Sequence, residues 1–309
     1  MRTRTRGILV ATCFGLGAVV TPPAEATDAC KSTGKAVIDA CKDDANGDRS
    51  IALGYCFNLP TKETQKACKA AAKASFAEAK EECSDQLDGR KAFCEAVGKD
   101  PYDPQINPAN FLTPAATAAA PNPYFPLVVG AVRTYQKGTE TIVVTVTDKT
   151  KVIQGVTTIV VHDVVSEGGQ PVEDTDDYYA QHTDGTVWYF GELSRDFEDG
   201  DIVSIDGSFR AGVDGAKAGI IMLAAPAVGT VYRQEFALDE AEDAAEVLSI
   251  TGTETVPGGS CSGTCVVTRD FNLLEPGHEE TKYYAPGIGL ILEISSETGA
   301  RTELQSVTP

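Results

Sequence analysis

Residues 29–97 read ACKSTGKAVIDACKDDANGDRSIALGYCFNLPTKETQKACKAAAKASFAEAKEECSDQLDGRKAFCEAV. Cys30, Cys41, Cys56, Cys68, Cys83 and Cys94 follow one another at intervals of 11, 15, 12, 15 and 11 residues. The series is the same from either end, so Cys30 with Cys94, Cys41 with Cys83 and Cys56 with Cys68 are each centred on residue 62. Two antiparallel helices folded about that point bring each pair level, and the spacing predicts three nested disulfides. Eleven residues make about three helical turns, and the 26 residues from first to third cysteine overshoot seven turns by roughly 80°, so each set stays on one stripe.

Residues 28–57 and 62–97 are rich in Ala, Lys, Glu and Asp, which suits helix. Asn58-Leu59-Pro60-Thr61 marks the turn, with Thr61 as N-cap of the second helix. Disulfides need Cα atoms within about 7 Å, and Gly34, Ala70, Ala71, Ala74, Ala77 and Gly89 are small enough to permit that approach. The arrangement resembles the twin-cysteine hairpins of the coiled-coil-helix-coiled-coil-helix type in architecture only, since those have nine residues between paired cysteines and this chain has ten. No function is carried over. A metal or haem site is disfavoured, because residues 27–100 contain neither Cys-x-x-Cys nor histidine. Asp44-Ala45-Asn46-Gly47-Asp48 is not an EF-hand loop, whose first and last ligands would fall on Lys42 and Leu53. A thin hairpin has little core, and three rungs at about 2–4 kcal/mol each compensate.

Upstream, Arg2, Arg4 and Arg6 precede an apolar run over residues 7–20, and Ala24-Glu25-Ala26 has the form of a cleavage site. The expectation is a signal peptide over residues 1–26 containing Cys13, and a secreted or periplasmic protein with no membrane insertion after cleavage. The remaining eight cysteines, an even number, favour structural disulfides. Charge divides the chain: residues 27–100 carry 12 Lys or Arg against 13 Asp or Glu, and residues 101–309 carry 11 against 31. Such acidity disfavours nucleic acid and anionic membranes as partners.

The expected architecture is α+β: a Cys-rich hairpin over residues 27–97, a Pro/Ala-rich linker over 98–126 and an acidic antiparallel β domain over 127–309. Within the linker, Tyr102, Ile106 and Phe111 are placed to lie on a domain surface, and residues 113–122 are expected to be mobile. Beyond it the periodicity becomes two, with strands over residues 141–147 and 156–165, and turns at Glu167-Gly168-Gly169, Asp184-Gly185 and Asp199-Gly200. A two-residue loop at Asp184-Gly185 would pair Gln181 with Trp188, Tyr179 with Phe190 and Asp177 with Glu192. Further strands are expected over 201–210, 218–224, 230–237, 247–256, 264–272 and 280–294, with a short acidic helix over 239–248. Barrel, half-barrel and sandwich all remain open.

The ending Lys282-Tyr283-Tyr284-Ala285-Pro286-Gly287-Ile288-Gly289-Leu290-Ile291, with Val256-Pro257-Gly258-Gly259-Ser260 before it, resembles the closing signature of a broad group of secreted bacterial β proteins. Tyr178-Tyr179-Ala180-Gln181 and Asp184-Gly185-Thr186-Val187-Trp188-Tyr189 are similar to that group's central hairpin. The resemblance covers residues 123–305 and implies a fold like the open half-barrel of lipoprotein-carrier proteins, without an activity. Cys261 stands where the group usually has Phe.

Gly259-Ser260-Cys261-Ser262-Gly263 imitates a nucleophile elbow, but Cys265 lies close enough that a local Cys261–Cys265 disulfide is the better reading. The histidines are His162, His182 and His278; His278-Glu279-Glu280-Thr281-Lys282 lacks the second histidine of a zinc-protease motif. A metal site joining His162 and His182 is geometrically open. His162 and Asp163 point to opposite faces of a strand, and whichever faces inward needs a partner. Glu173, Asp174, Asp176, Asp177 and Glu192, with Asp196, Glu198, Asp199 and Asp201 nearby, form an acidic region. Within it Asp174, Asp176, Asp177 and Glu192 are candidate calcium ligands, against the reading of a solvated acidic edge. Tyr179, Gln181, Trp188 and Phe190 are the candidate ligand-binding face. The expected function is non-enzymatic binding of an apolar ligand or an envelope protein; the alternatives are a carboxylate-based hydrolase and a structural cell-surface component.

Overall fold

A computed structural model describes residues 28–308. Two long helices, α1 (Ala29–Phe57) and α2 (Lys62–Val97), run antiparallel. The first is N-capped by Asp28 and the second by Thr61, whose hydroxyl accepts from the Thr64 amide. Disulfides Cys30–Cys94, Cys41–Cys83 and Cys56–Cys68 join them with Cα separations of 5.7, 6.0 and 5.4 Å, the nested order that the spacing requires. Gly34 sits against Arg90, where an added Cβ would just touch the arginine stem. A fourth bridge, Cys261–Cys265, is also present. Four disulfides fit an oxidising extracellular or periplasmic environment. Among the described residues no helix is long and apolar enough to cross a membrane. The expected signal peptide and Cys13 lie outside the described residues.

The β domain contains fourteen strands. These are β1 (Val132–Lys137), β2 (Glu140–Ile153), β3 (Val156–Glu167), β4 (Gln170–Gln181), β5 (Val187–Glu198), β6 (Asp201–Ser204) and β7 (Lys217–Met222). There follow β8 (Val231–Arg233), β9 (Glu235–Phe236), β10 (Asp243–Val256), β11 (Gly259–Asn272), β12 (Glu279–Ala285), β13 (Gly289–Ser295) and β14 (Arg301–Thr308). Edge to edge the order is β8, β10, β11, β12, β13, β14, β1, β2, β3, β4, β5, β7, β9, with β6 beside β5, and the pairings are antiparallel. The two end strands are consecutive in the chain. The segment from Val231 to Phe236 pairs first with β10 and then, past Gln234, with β7, so one bent segment all but closes the sheet into a barrel. The sheet is therefore more closed than the half-barrel that the resemblance implies.

Residues 239–248 are not helical: Asp243 opens β10, and Ala244, Ala245 and Val247 are buried. Pairing with β11 and burial of this apolar cluster override a composition that favours helix. The expected strand over 280–294 is two strands broken at Pro286-Gly287, and that over 201–210 stops at Ser204.

The linker is built into the molecule. Phe111 packs edge-on against Phe190 and His182, and the Leu112 amide donates to the Gln181 carbonyl. Thr113 caps α3 (Pro114–Ala119), where Thr117 is buried. Buried Asn122 donates to the carbonyls of Gly185 and Leu223 and accepts from the amides of Tyr124 and Phe125. The expectation of a mobile 113–122 is thus corrected: a buried amide side chain that satisfies four backbone groups fixes the segment.

The foot of the hairpin docks on the barrel. Phe93, Cys30 and Cys94 share an apolar cluster with Ala244 and Leu273, and Gln86 donates to the Leu274 carbonyl. Arg90 holds Glu242 through both terminal nitrogens.

Candidate functional site

The turns between strands define the two ends of the barrel. Those at Gly155, Gly185 and Gly287 share one end, where the linker crosses: Pro108 lies against Gly155, Asn122 bonds to Gly185, and the Pro123 carbonyl accepts from Gly287. Those at Gly168-Gly169 and Asp199-Gly200 lie at the other, with the turn between β11 and β12 on which the hairpin rests. Inward side chains nearest the linker are apolar, among them Leu127, Val146, Ile159, Val187 and Met222. Those nearer the opposite end include Asp163, Glu173, Glu192, Asp243, Glu280 and Glu293. The interior is a cup with an apolar floor and acidic upper walls.

Between these zones lies a cavity of about 280 Å³ lined by Phe125, Val161, Tyr179, Tyr284 and Leu290, together with Asp163, Asp177, Glu293, Lys282 and Arg133. Burial, reinforced by Glu173, Glu293 and Glu192, pushes the Asp163 carboxyl up to about 7. Its Oδ1 has no hydrogen-bond partner. Asp163 is therefore the inward member of the His162/Asp163 pair; His162 lies on the outside, 3.1 Å from Asp174.

Burial also raises Asp177 to about 7 and, with Asp177 as neighbour, Glu192 to about 8. The Tyr189 hydroxyl lies 2.6 Å from Asp177 and 2.9 Å from Glu192. A phenol has one proton to give, so the second contact is attractive only when one of the two acids keeps its own proton. Glu235 is likewise raised by burial, with Asp243 adding to it.

Lys282 answers part of this negative charge. It lies 3.4 Å from Asp270, 3.2 Å from Glu280 and 3.4 Å from Glu293. Burial opposes its charge, but these carboxylates outweigh burial and hold it well above the usual lysine range. Lys282 in turn outweighs burial at Glu293 and lowers it. Arg133 is committed to the Ile288 and Pro126 carbonyls.

The four residues expected to form a ligand face are divided. The β4–β5 loop has three residues, with the His182 amide donating to the Thr186 carbonyl, so Tyr179 pairs with Tyr189, Ala180 with Trp188 and Gln181 with Val187. A one-residue slip turns every side chain of a strand to the opposite face relative to its partner strand. Tyr179 points inward and stacks on Tyr189 at 4.7 Å. Trp188 and Phe190 lie on the outside beneath Phe111. Gln181 holds the linker, accepting from the Asn122 amide and donating to the Ala120 carbonyl. At Gly191 the strand bulges, which restores the register and brings Asp177 opposite Glu192 as expected.

The calcium candidates divide in the same way. Asp177 and Glu192 face inward, whereas Asp174 and Asp176 are outside with Arg195, at 2.7 and 3.3 Å. Alternation along β4 separates them. His182 pairs with Asp184 at the linker end, away from His162, so the two do not form a site. Among the described residues no group of three or more His, Cys, Asp or Glu is arranged to hold a metal ion. Cys261 and Cys265 are joined with a Cα separation of 5.6 Å, which excludes the nucleophile elbow.

Sequence reasoning missed Glu235, Asp243, Asp270, Glu280, Lys282 and Glu293 as a group. The available signal was ionisable residues at inward positions of strands, such as Glu280-x-Lys282-x-Tyr284. No family model matches this chain, and neither a curated protein nor a solved structure matches it.

Proposed function

We propose that this is a non-enzymatic binding protein of an oxidising compartment outside the cytoplasm, and that its barrel takes up a small, largely apolar molecule carrying a basic or hydrogen-bond-donating group. The observation that carries this reading is the 280 Å³ cavity, whose walls combine aromatic and aliphatic side chains with Asp163 and Asp177. That volume is at the small end of the usual range for ligand sites, which favours a compact molecule. Asp163 Oδ1 supplies an oxygen without a hydrogen-bond partner of its own. Hydrolysis is the weaker reading, because of the Asp177/Glu192 pair only Asp177 lines the cavity.

The test is native mass spectrometry of protein purified without denaturation, followed by calorimetric titration with whatever co-purifies. Replacing Val161 by Trp fills the cavity from its wall. Loss of the bound mass in a folded Val161→Trp protein is expected; retention of the same stoichiometry and affinity would place binding elsewhere.

A further inference from the structure

The far end of the hairpin differs from the rest of the molecule in charge and, among the described residues, in carrying exposed aromatic rings. Residues 49–73 carry Arg49, Lys62, Lys66, Lys69 and Lys73 against Glu63 alone. Residues 28–48 and 74–100 together carry 7 basic against 12 acidic residues, and the β domain is more acidic still. The same end exposes Tyr55 at 73%, Phe57 at 64% and Ile51 at 40% of their surfaces. Ile51 and Tyr55 are four apart on α1 and share a face, and Phe57 lies at the turn with exposed Pro60. Single exposed apolar residues are ordinary on protein surfaces. Three within two helical turns, bordered by lysines on the facing helix, are a composite surface.

We propose that this tip docks on an anionic lipid surface, with Tyr55 and Phe57 entering the headgroup region and Lys62, Lys66, Lys69 and Arg49 meeting lipid phosphates. Aromatic rings among long basic side chains suit the boundary between water and hydrocarbon, where the stems lie along apolar surface and the charges reach phosphate. Lys69 already lies over the Phe57 ring at 4.1 Å, so ring and cation would enter together. An acidic protein partner would meet the same lysines and rings, and absence of vesicle binding is the outcome that would favour it.

The acidity of the barrel, which holds most of the chain's excess negative charge, does not reach this site. From Gly34, which packs on Arg90 at the barrel, to Phe57 the helix rises roughly 35 Å, several times the Debye length of about 8 Å at physiological salt. The barrel's field is screened before it reaches the tip. Three disulfides hold the end rigid, so docking orders little additional backbone.

The experiment is co-sedimentation of the oxidised protein, residues 27–309, with vesicles of phosphatidylcholine alone and of equal parts phosphatidylcholine and phosphatidylglycerol. Binding is expected to the mixed vesicles only and to fall steeply between low and high salt. Lysines near a charged membrane contribute about fivefold in affinity each, so Lys62→Gln with Lys66→Gln and Lys69→Gln should weaken it about a hundredfold. Tyr55→Ser with Phe57→Ser should weaken it about tenfold or more, with the helical circular dichroism retained. Helical circular dichroism of the lysine-to-glutamine protein is expected to match the unaltered protein, which separates loss of binding from loss of fold. Absence of binding by the unaltered protein at low salt would overturn the proposal, as would binding indifferent to both sets of changes. Self-association that depends on the tip, with no vesicle binding, would also overturn it and assign the tip to the acidic barrel of a second copy.

Discussion

Arg90 and Glu242 meet across 152 residues of chain, with Arg90 Nη2 2.8 Å from Glu242 Oε1 and Nη1 bonded to Oε2. Both side chains are almost wholly buried, and Glu242 also accepts from the Asp239 amide. A buried ion pair of this kind contributes less than its Coulomb energy suggests, whereas removing one partner strands the other charge. Arg90→Ala or Glu242→Ala should therefore cost about 3–5 kcal/mol, while Arg90→Met combined with Glu242→Leu should cost much less. Urea denaturation of the single and double variants checks this; equal losses would mean that the pair holds hairpin to barrel by more than charge compensation.

Stability should fall as the solution becomes alkaline. Asp163 and Asp177 sit near 7 and Glu192 near 8 in the folded protein, against about 4 in an unfolded chain. Between those values the native state binds more protons than the unfolded state, so the contribution is complete below about pH 4 and is lost as pH rises through 7 to 8. Melting temperature is expected to decline from pH 5 to pH 8.5, and Asp177→Asn should flatten that decline and raise the melting point at pH 8.5. Scanning calorimetry across this range decides it; a rising melting point would show that these acids are ionised when folded.

Asn122 ties the linker to the barrel floor through two carbonyls and two amides. Asn122→Ala leaves those buried groups without partners, at a cost of about 2–3 kcal/mol. Hydrogen exchange should accelerate across residues 111–126 and at the Asp184-Gly185 turn, while protection within the hairpin is unchanged.

Gly191 has φ of 128°, and a Cβ there would stand 2.2 Å from the Phe209 carbonyl oxygen. Backbone cannot yield as a flexible side chain can. Gly191→Ala should cost more than about 4 kcal/mol and reduce recovery of folded protein, whereas Gly138→Ala, with open space around it, should cost far less. Comparing expression and denaturation midpoints of the two variants tests the bulge directly.

Removing the middle rung should separate two melting events. Cys41→Ser with Cys83→Ser deletes a cross-link worth about 2–4 kcal/mol where the hairpin leaves the barrel, next to Gln86 and its bond to the Leu274 carbonyl. Helical circular dichroism is expected to be lost at a lower temperature than the near-ultraviolet signal of the barrel tyrosines. A single coincident transition would show that the hairpin unfolds only with the barrel.

The hairpin was legible because helical geometry is rigid: a stripe that repeats over 26 residues admits one order of pairing. The central β-hairpin was legible only in part. Asp184-Gly185 suits a two-residue or a three-residue loop, and the choice decides which face each side chain takes. The extra residue put Trp188 and Phe190 outside, and the bulge at Gly191 returned Asp177 to its place opposite Glu192. Alternation also cannot say which face is the interior when both are covered, and Phe111 covers the outer face here. The cluster around Lys282 was hidden for a different reason: its members come from β10 to β13, and only the order of strands in the sheet brings them together.

The segment from Val231 to Phe236 is held by three residue pairs on one side and two on the other. It is also where the helical arm is rooted, since Arg233 lies 4.4 Å from the Phe93 ring and Val231 packs with Cys30 and Cys94. A force applied to the tip acts through a lever roughly 35 Å long on the most weakly stitched staves of the barrel. A load carried by the hairpin is thereby delivered to the seam at which the sheet closes.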